Sequence, residues 1–493
     1  MRPLALLLAL PPGVADPDLA GMPGLPPEPT LPAAPLHEAA PLSTGRMAPD
    51  VRFGGAFGTR IDLDLADTGQ GEDLAEGRFR LDLELAARLS PAVSTLVSGR
   101  LSQSSRTPDG AFDGARSAHE VELREARFSW QAETVGVDLG NLFLRWGTAD
   151  ASSPNDVLNP QDLRDPAPVG FEAPVVPVPA VRLWANPGFL DFELDVIPFF
   201  EPHRATLFGT DWAPIGGDAA AAGFAGLVEG LDLIFSEAAD DDVQPVLLSP
   251  RPPDESPRNV SVATRVGWHG AGIDLHLNAT HGWDRIPALR FDPDVLAFID
   301  AARRNDLGAV ASLYPRLQPR LEAGEPLLDS RYHRLNLVGA DLAWAVDDFL
   351  VKAEVAHSFA RTLYRPDATP VRTAALSWAG GFDWLPDPDF TGTLECFGLR
   401  PFDRGSYLFM GRQLVNLALH LSFAAVTDTL TFDLIAQYGL TQGDHTLAPS
   451  VRWQPADGHA LAAGVYLLDG PSDTLGGLFA DNDAGWMRYV LSF

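Results

Sequence analysis

Lysine is all but missing. Lys352 is the only one in a chain of 493 residues, and arginine supplies the remaining fixed positive charge. Composition gives this bias no physical reading beyond genomic base usage. Cysteine is as scarce: Cys396 stands alone, which excludes a disulfide framework and a thiolate metal cluster. Basic charge is short overall, with 36 Lys plus Arg against 66 Asp plus Glu, a net charge of -30 and a pI of about 4.6. Nucleic acid needs a basic footprint, so it is excluded as a partner. The balance suits a solvated acidic surface or a cation-attracting pore. The hydrophobic fraction is 46%, yet mean hydropathy is only -0.01. After the N-terminus no apolar run approaches the 18 or so residues of a membrane helix. Helical period is nearly absent. There are 11 histidines but no GxSxG elbow and no histidine pair at metal-ligand spacing, so neither a hydrolase nor a metal centre is expected, and no cofactor.

What is present begins with an address label. Arg2 supplies charge, LALLLAL (4–10) is a short apolar core, and Gly13-Val14-Ala15 is a small-residue cleavage site. Residues 1–15 are therefore expected to be a signal peptide. Residues 16–50 are rich in Pro and Ala, carry no period, and should be a flexible leader. From Val51 to Phe493, period two recurs. In GRFRLDLELAARLS, Phe79, Leu81, Leu83 and Leu85 oppose Arg80, Asp82 and Glu84. In AGIDLHLNAT, Ile273, Leu275 and Leu277 oppose Asp274, His276 and Asn278. NLALHLSF and DTLTFDLIAQY repeat the pattern.

Eighteen strands are predicted, centred on 52–65, 77–89, 93–104, 118–130, 134–147, 179–185, 189–199, 258–268, 272–284, 331–345, 348–360, 371–384, 389–400, 412–424, 428–440, 444–454, 458–468 and 484–493. Short links such as LSPA (89–92), QAET (131–134), ANPG (185–188) and AVDD (345–348) alternate with longer ones. Short turns alternating with long loops predict an all-β fold: an up-and-down antiparallel barrel spanning an outer membrane, turns toward the periplasm and loops outside. An even strand count returns both ends to the turn side. An arginine facing mid-bilayer costs roughly 2–4 kcal/mol, so Arg80, Asp82, Glu84, Asp274, His276, Asp433 and Arg488 must point inward. A barrel this wide leaves a lumen.

The chain closes on GWMRYVLSF, with Met487, Tyr489, Leu491 and Phe493 apolar at alternate places. This stretch resembles the C-terminal signal of Gram-negative outer-membrane proteins. The resemblance implies recognition by the barrel-assembly machinery, with Tyr489, Leu491 and Phe493 as the signal. Between Arg145-Trp146-Gly147 and the strand at Val181-Arg182-Leu183 runs a loop dense in Asp, Asn and Pro. Asn159-Pro160 and Asp162 carry turn and capping chemistry, and Asp162 could open a short helical turn. The pieces RWG, NPQDL and PVP, and the final GVYLLDGPSDTLGGLFADNDAGWMRYVLSF, resemble an uncharacterised proteobacterial barrel family, known as a domain of unknown function and distantly like alginate-export barrels. In general porins the third long loop bends inward. Two placements follow for 148–178: a constriction loop carrying Asp150, Asp156, Asp162, Arg164 and Asp165 to the lumen, or a loop folded on the outer rim.

Arg80, Arg124, Arg127, Arg145 and Arg182 are expected to form a basic strip facing those acids. In 201–257, GGDAAAAGFAGL and EAADDD (237–242) read as solvated loop. In 284–330, Asp292 caps Pro293, and Val295, Leu296, Phe298, Ile299 and Ala302 share a face, predicting a helix from 293 to about 313 on the rim or plugging the lumen. The function expected is passive diffusion of small solutes through a porin-like, weakly cation-selective, non-enzymatic channel. A dedicated transporter of hydrophobic substrates or an export conduit is the alternative. Expected partners are outer-membrane lipid and lipopolysaccharide, the assembly machinery and small-molecule solutes, with room for a homo-oligomer.

Overall fold

The computed structural model describes residues 50–493 apart from 66–74, 108–115, 165–174, 205–247 and positions 304–305, 324, 326–327, 367–368, 427–428 and 481. The expected signal peptide, the leader up to residue 49, the run 237–242 and Asp165 lie outside these residues.

The strands are β1 (Asp50–Asp64), β2 (Ala75–Ser90), β3 (Val93–Thr107), β4 (Arg116–Ala132), β5 (Val135–Leu142), β6 (Val178–Ala185) and β7 (Leu190–Ile197). Then come β8 (Leu248–Arg251), β9 (Ser261–Gly270), β10 (Ile273–Trp283), β11 (Ala288–Phe291), β12 (Leu328–Arg331), β13 (Arg334–Val346) and β14 (Phe349–Tyr364). The last are β15 (Pro370–Asp387), β16 (Phe390–Pro401), β17 (Leu414–Ala425), β18 (Leu430–Gly439), β19 (His445–Ala456), β20 (His459–Asp469) and β21 (Ala484–Ser492). All but β8, β11 and β12 form one 18-stranded sheet. Each strand of that sheet pairs antiparallel with the next in the chain, and β21 pairs with β1, Leu491 opposite Phe57 and Arg488 opposite Arg60. The sheet closes on itself as a barrel, as the alternation predicts, so its strands leave no open edge.

The pleat sorts the side chains as expected. Phe53, Ile61, Phe79, Leu277 and Met487 are exposed on the outer wall, while Arg60, Asp62, His276, Asn278, Asp433 and Arg488 are buried on the inner one. The outer wall also carries a belt absent from the expectations. Trp130, Trp268, Trp344, Trp384 and Trp453, with Phe349 and Phe423, are all exposed and all lie near the turn ends of their strands. Phe349 and Trp384 stack with their rings 13° apart. The hairpins are tight: Ala271 and Gly272 both have positive φ, the backbone of a two-residue turn matched to strand twist.

The helical expectation is met in part and corrected in its length. The segment forms two helices, α1 (Pro293–Arg303) and α2 (Leu307–Glu322), rather than one ending near 313. Asp306 restarts the chain by accepting a bond from the Ala309 amide at 3.0 Å. α2 then runs through Pro315 and Pro319, one turn apart on its exposed side. The two missing amides therefore fall on one face, toward solvent. Phe298 and Leu317 are fully buried. β11 and β12 pair antiparallel, and β8 adds in parallel to β12.

The interior holds an apolar cluster that alternation could not reveal. Inward alanines of the wall (Ala375, Ala448, Ala462, Ala484) and Trp486 cluster with Tyr407–Met410, Leu478, Phe479 and Ile286 from the segments between wall strands and with Leu289 of β11. The cluster draws mainly on the loop ends of strands β14 to β21, and inward charges of the same stretch of wall, such as Lys352, Glu395, Arg452 and Arg488, lie nearer the turns.

Candidate functional site

The third long loop leaves the wall at Leu142, five residues before the expected end of its strand. The cause is Asn159. Its Oδ1 accepts from the Leu144 amide at 2.7 Å, and its Nδ2 donates to the carbonyls of Leu142 at 3.2 Å and Val176 at 2.7 Å. The backbone groups that a longer strand would have paired are satisfied by this one buried amide. Each residue of the RWG motif then has a partner. The Arg145 guanidinium meets Asp156 at 3.3 Å, and the Trp146 indole donates to Glu193 at 3.0 Å. Gly147 has φ of 104°, and a Cβ there would collide with Ser153 and Glu354.

Residues 148–155 dock on β13, β14 and β16, strands lying across the barrel from β5 in the order of the sheet. Glu354 accepts from the amides of Thr148 and Ala149, from Ser153 Oγ at 2.8 Å and from Asn155 Nδ2 at 3.0 Å. Asn155 also donates to the Ala340 carbonyl at 3.1 Å. Glu395 accepts from the amides of Asp150 at 3.0 Å and Ala151 at 2.7 Å. Beside Glu395 sits Lys352, its side chain 4% exposed, paired with Asp150, with Asp383 at 2.8 Å and with Glu395 at 3.2 Å. The chain's single lysine is therefore one of three wall charges to which the loop is tied, with Glu354 and Glu395. Sequence reasoning noticed its scarcity and missed its position; the scarcity was the available signal.

The other expected site residues fall as follows. Arg80 pairs with Asp82 at 2.5 Å, and Arg100 reaches the same carboxylate at 2.8 Å. Glu84 lies on the inward side of β2, opposite the outward Leu85. Arg127 pairs with Glu125 at 3.1 Å, Arg124 lies 3.6 Å from Glu122, and Arg182 pairs with Glu193 at 3.1 Å. The expected basic strip is thus a row of ion pairs along the wall. Within it, Arg145 is the member seen to meet an expected constriction acid among the described residues. Asp162 opens no helical turn. It forms a parallel bridge with Arg204 and holds Arg164 through its side chain. Arg164 also reaches Glu120 at 3.1 Å.

The loop is clipped to its neighbours near residue 160. His203 Nδ1 accepts from the Gln161 amide at 2.8 Å, and the Arg285 guanidinium donates to the carbonyls of Leu158 and Glu201. Burial, with Arg285 and Arg361 nearby, drives the His203 pKa down to about 3. Burial also brings Arg285 down to about 10, against the pull of Glu201. A cleft opens between this clip and the wall, lined by Asp156, Asn159, His203, Asp284, Arg285 and Arg361 among others. Its lining offers hydrogen-bonding groups of both signs.

No protein-family model matches the chain, and no curated protein matches it. The resemblance drawn from RWG, NPQDL, PVP and the final GVYLLDGPSDTLGGLFADNDAGWMRYVLSF therefore has no family match behind it. Among solved structures the chain is similar to the Acinetobacter baumannii protein OccAB1, at 11% identity and a TM-score of 0.48, with 92% of this chain and 98% of that one covered. It is also similar to a doubly substituted mutant of the Rh. blastica porin, at 12% identity and a TM-score of 0.35, covering 90% of this chain and 100% of the other. A triple mutant of the Rhodopseudomonas blastica porin gives 12% identity and a TM-score of 0.36, with 90% and 100% covered.

Proposed function

We propose that this chain is an outer-membrane diffusion channel for small solutes, narrowed by its third long loop and weakly cation-selective. The observation that carries the reading is the docking of residues 148–155 on Glu354, Glu395 and Lys352 inside a closed barrel. The exposed tryptophans at the turn ends suit a membrane interface, where an aromatic ring sits between lipid and water. The inner wall is charged, which suits a wet path. Around the docked loop, Asp150, Asp383, Glu395 and Glu354 outnumber Lys352. That surplus raises the local cation concentration over roughly 8–10 Å at physiological salt. A transporter of hydrophobic molecules would line the same path with apolar groups. Reversal potentials across a planar bilayer under a salt gradient test the reading. Weak cation selectivity at low salt, fading as salt rises, is expected. Strong anion selectivity would overturn the assignment of the acids, and absence of conductance would overturn the channel.

A further inference from the structure

We propose that Asp191, His269 and His276 form a binding site for a zinc-class divalent cation on the inner wall, near the turn ends of β7, β9 and β10. In sequence the two histidines have no metal-ligand spacing. The hairpin supplies it: His269 pairs with Asp274, and His276 pairs with Gly267, so the imidazoles are diagonal neighbours across the strands. Asp191 pairs with the same Gly267 from the other side. Asp191 Oδ1 lies 2.5 Å from His269 Nε2 and 3.7 Å from His276 Nε2, and the three ligand atoms lie within 4.8 Å of one another. Edges of a tetrahedral zinc site with bonds of about 2.0 Å are roughly 3.3 Å, so small side-chain shifts suffice.

Two features separate this trio from a chance ion-pair cluster. Each histidine has its other ring nitrogen held by a carboxylate: His269 Nδ1 by Asp274 at 2.7 Å, and His276 Nδ1 by Asp341 at 2.8 Å. Metal-bound histidines are oriented in this way, with Nε2 left for the ion. The second feature is Gly267. A Cβ there would collide with Asp191 Oδ1 and lie 2.5 Å from His276 Cδ2, so the space between the ligands exists because this residue is glycine. Two imidazoles and one carboxylate leave a fourth position open, as in exchangeable zinc sites. The donor set favours zinc, cobalt, nickel or copper over calcium or magnesium.

The test uses the refolded full chain in detergent, without a polyhistidine tag, titrated with Co²⁺ and followed by its visible ligand-field absorption, then with Zn²⁺ in competition. One tight site is expected. It is lost in His269→Gln/His276→Gln. Asp274→Asn, which touches only the outer partner of His269, weakens binding about 10–100-fold. Barrel closure of each variant is checked by heat-modifiable mobility. His269→Gln alone, at a partly exposed position, serves if the double variant does not fold. Absence of a tight site in the unmodified chain, or equal binding by the variants, overturns the proposal. This readout does not depend on conductance, so it fails or succeeds separately from the channel reading.

Discussion

Lys352 holds three carboxylates at one point of the inner wall, two from the wall and one from the loop. Lys352→Met leaves Asp150, Asp383 and Glu395 facing one another without a cation. Breaking a buried pair by removing one partner costs about 3–5 kcal/mol. The expected result is a lower unfolding midpoint together with a larger, noisier single-channel conductance as the loop loosens. Unchanged conductance would show that the bonds to Glu354 and Glu395 hold the loop without it. His203 acts at the same scale, but as a group held neutral by burial. Its pKa lies far below the ordinary 6.5 in the folded chain, so the unfolded chain takes up the proton first as pH falls. The contribution of this residue is complete above 6.5 and is lost progressively between there and about 3. Limited proteolysis of the 158–204 region is therefore expected to quicken on acidification through that window. His203→Asn should flatten the dependence.

At the scale of elements, removing residues 148–155 with a short Gly-Ser bridge is expected to raise conductance severalfold while leaving the barrel assembled. Bilayer recordings beside heat-modifiability measure both. The strands were legible in the sequence because the two faces of the wall sort every second side chain, as at Leu275, His276 and Leu277. The hairpins were legible because Gly and Asp mark them. The loop's departure was partly legible in RWG and NPQDL, but its destination was not. Ala149 bonds to a carboxylate 205 positions away, and no local period encodes such a pairing. The apolar cluster was hidden for a related reason: inward alanines such as Ala448 and Ala462 read as neutral wall until Tyr407–Met410 and Phe479 cover them. The single helix expected from 293 became two because capping by Asp306 is a local signal that the apolar face overrode.

The molecule as a whole depends on closure. Phe493 exchanges two backbone bonds of 2.9 Å with Gly55, and its ring lies 6.4 Å from that of Phe53. Deleting Phe493 opens that seam, and in the membrane proposed above unpaired backbone costs several kcal/mol per group. A lower folded, heat-modifiable fraction is expected, with normal conductance in the barrels that do form. Normal assembly with altered conductance would contradict this. The solitary lysine has one more consequence. An endoproteinase that cuts after lysine has a single target in the chain, at a position 4% exposed within β14. The closed barrel should resist it, and any opened chain should fall into two fragments of fixed size, so that one band on a gel reports how much of a preparation has come undone.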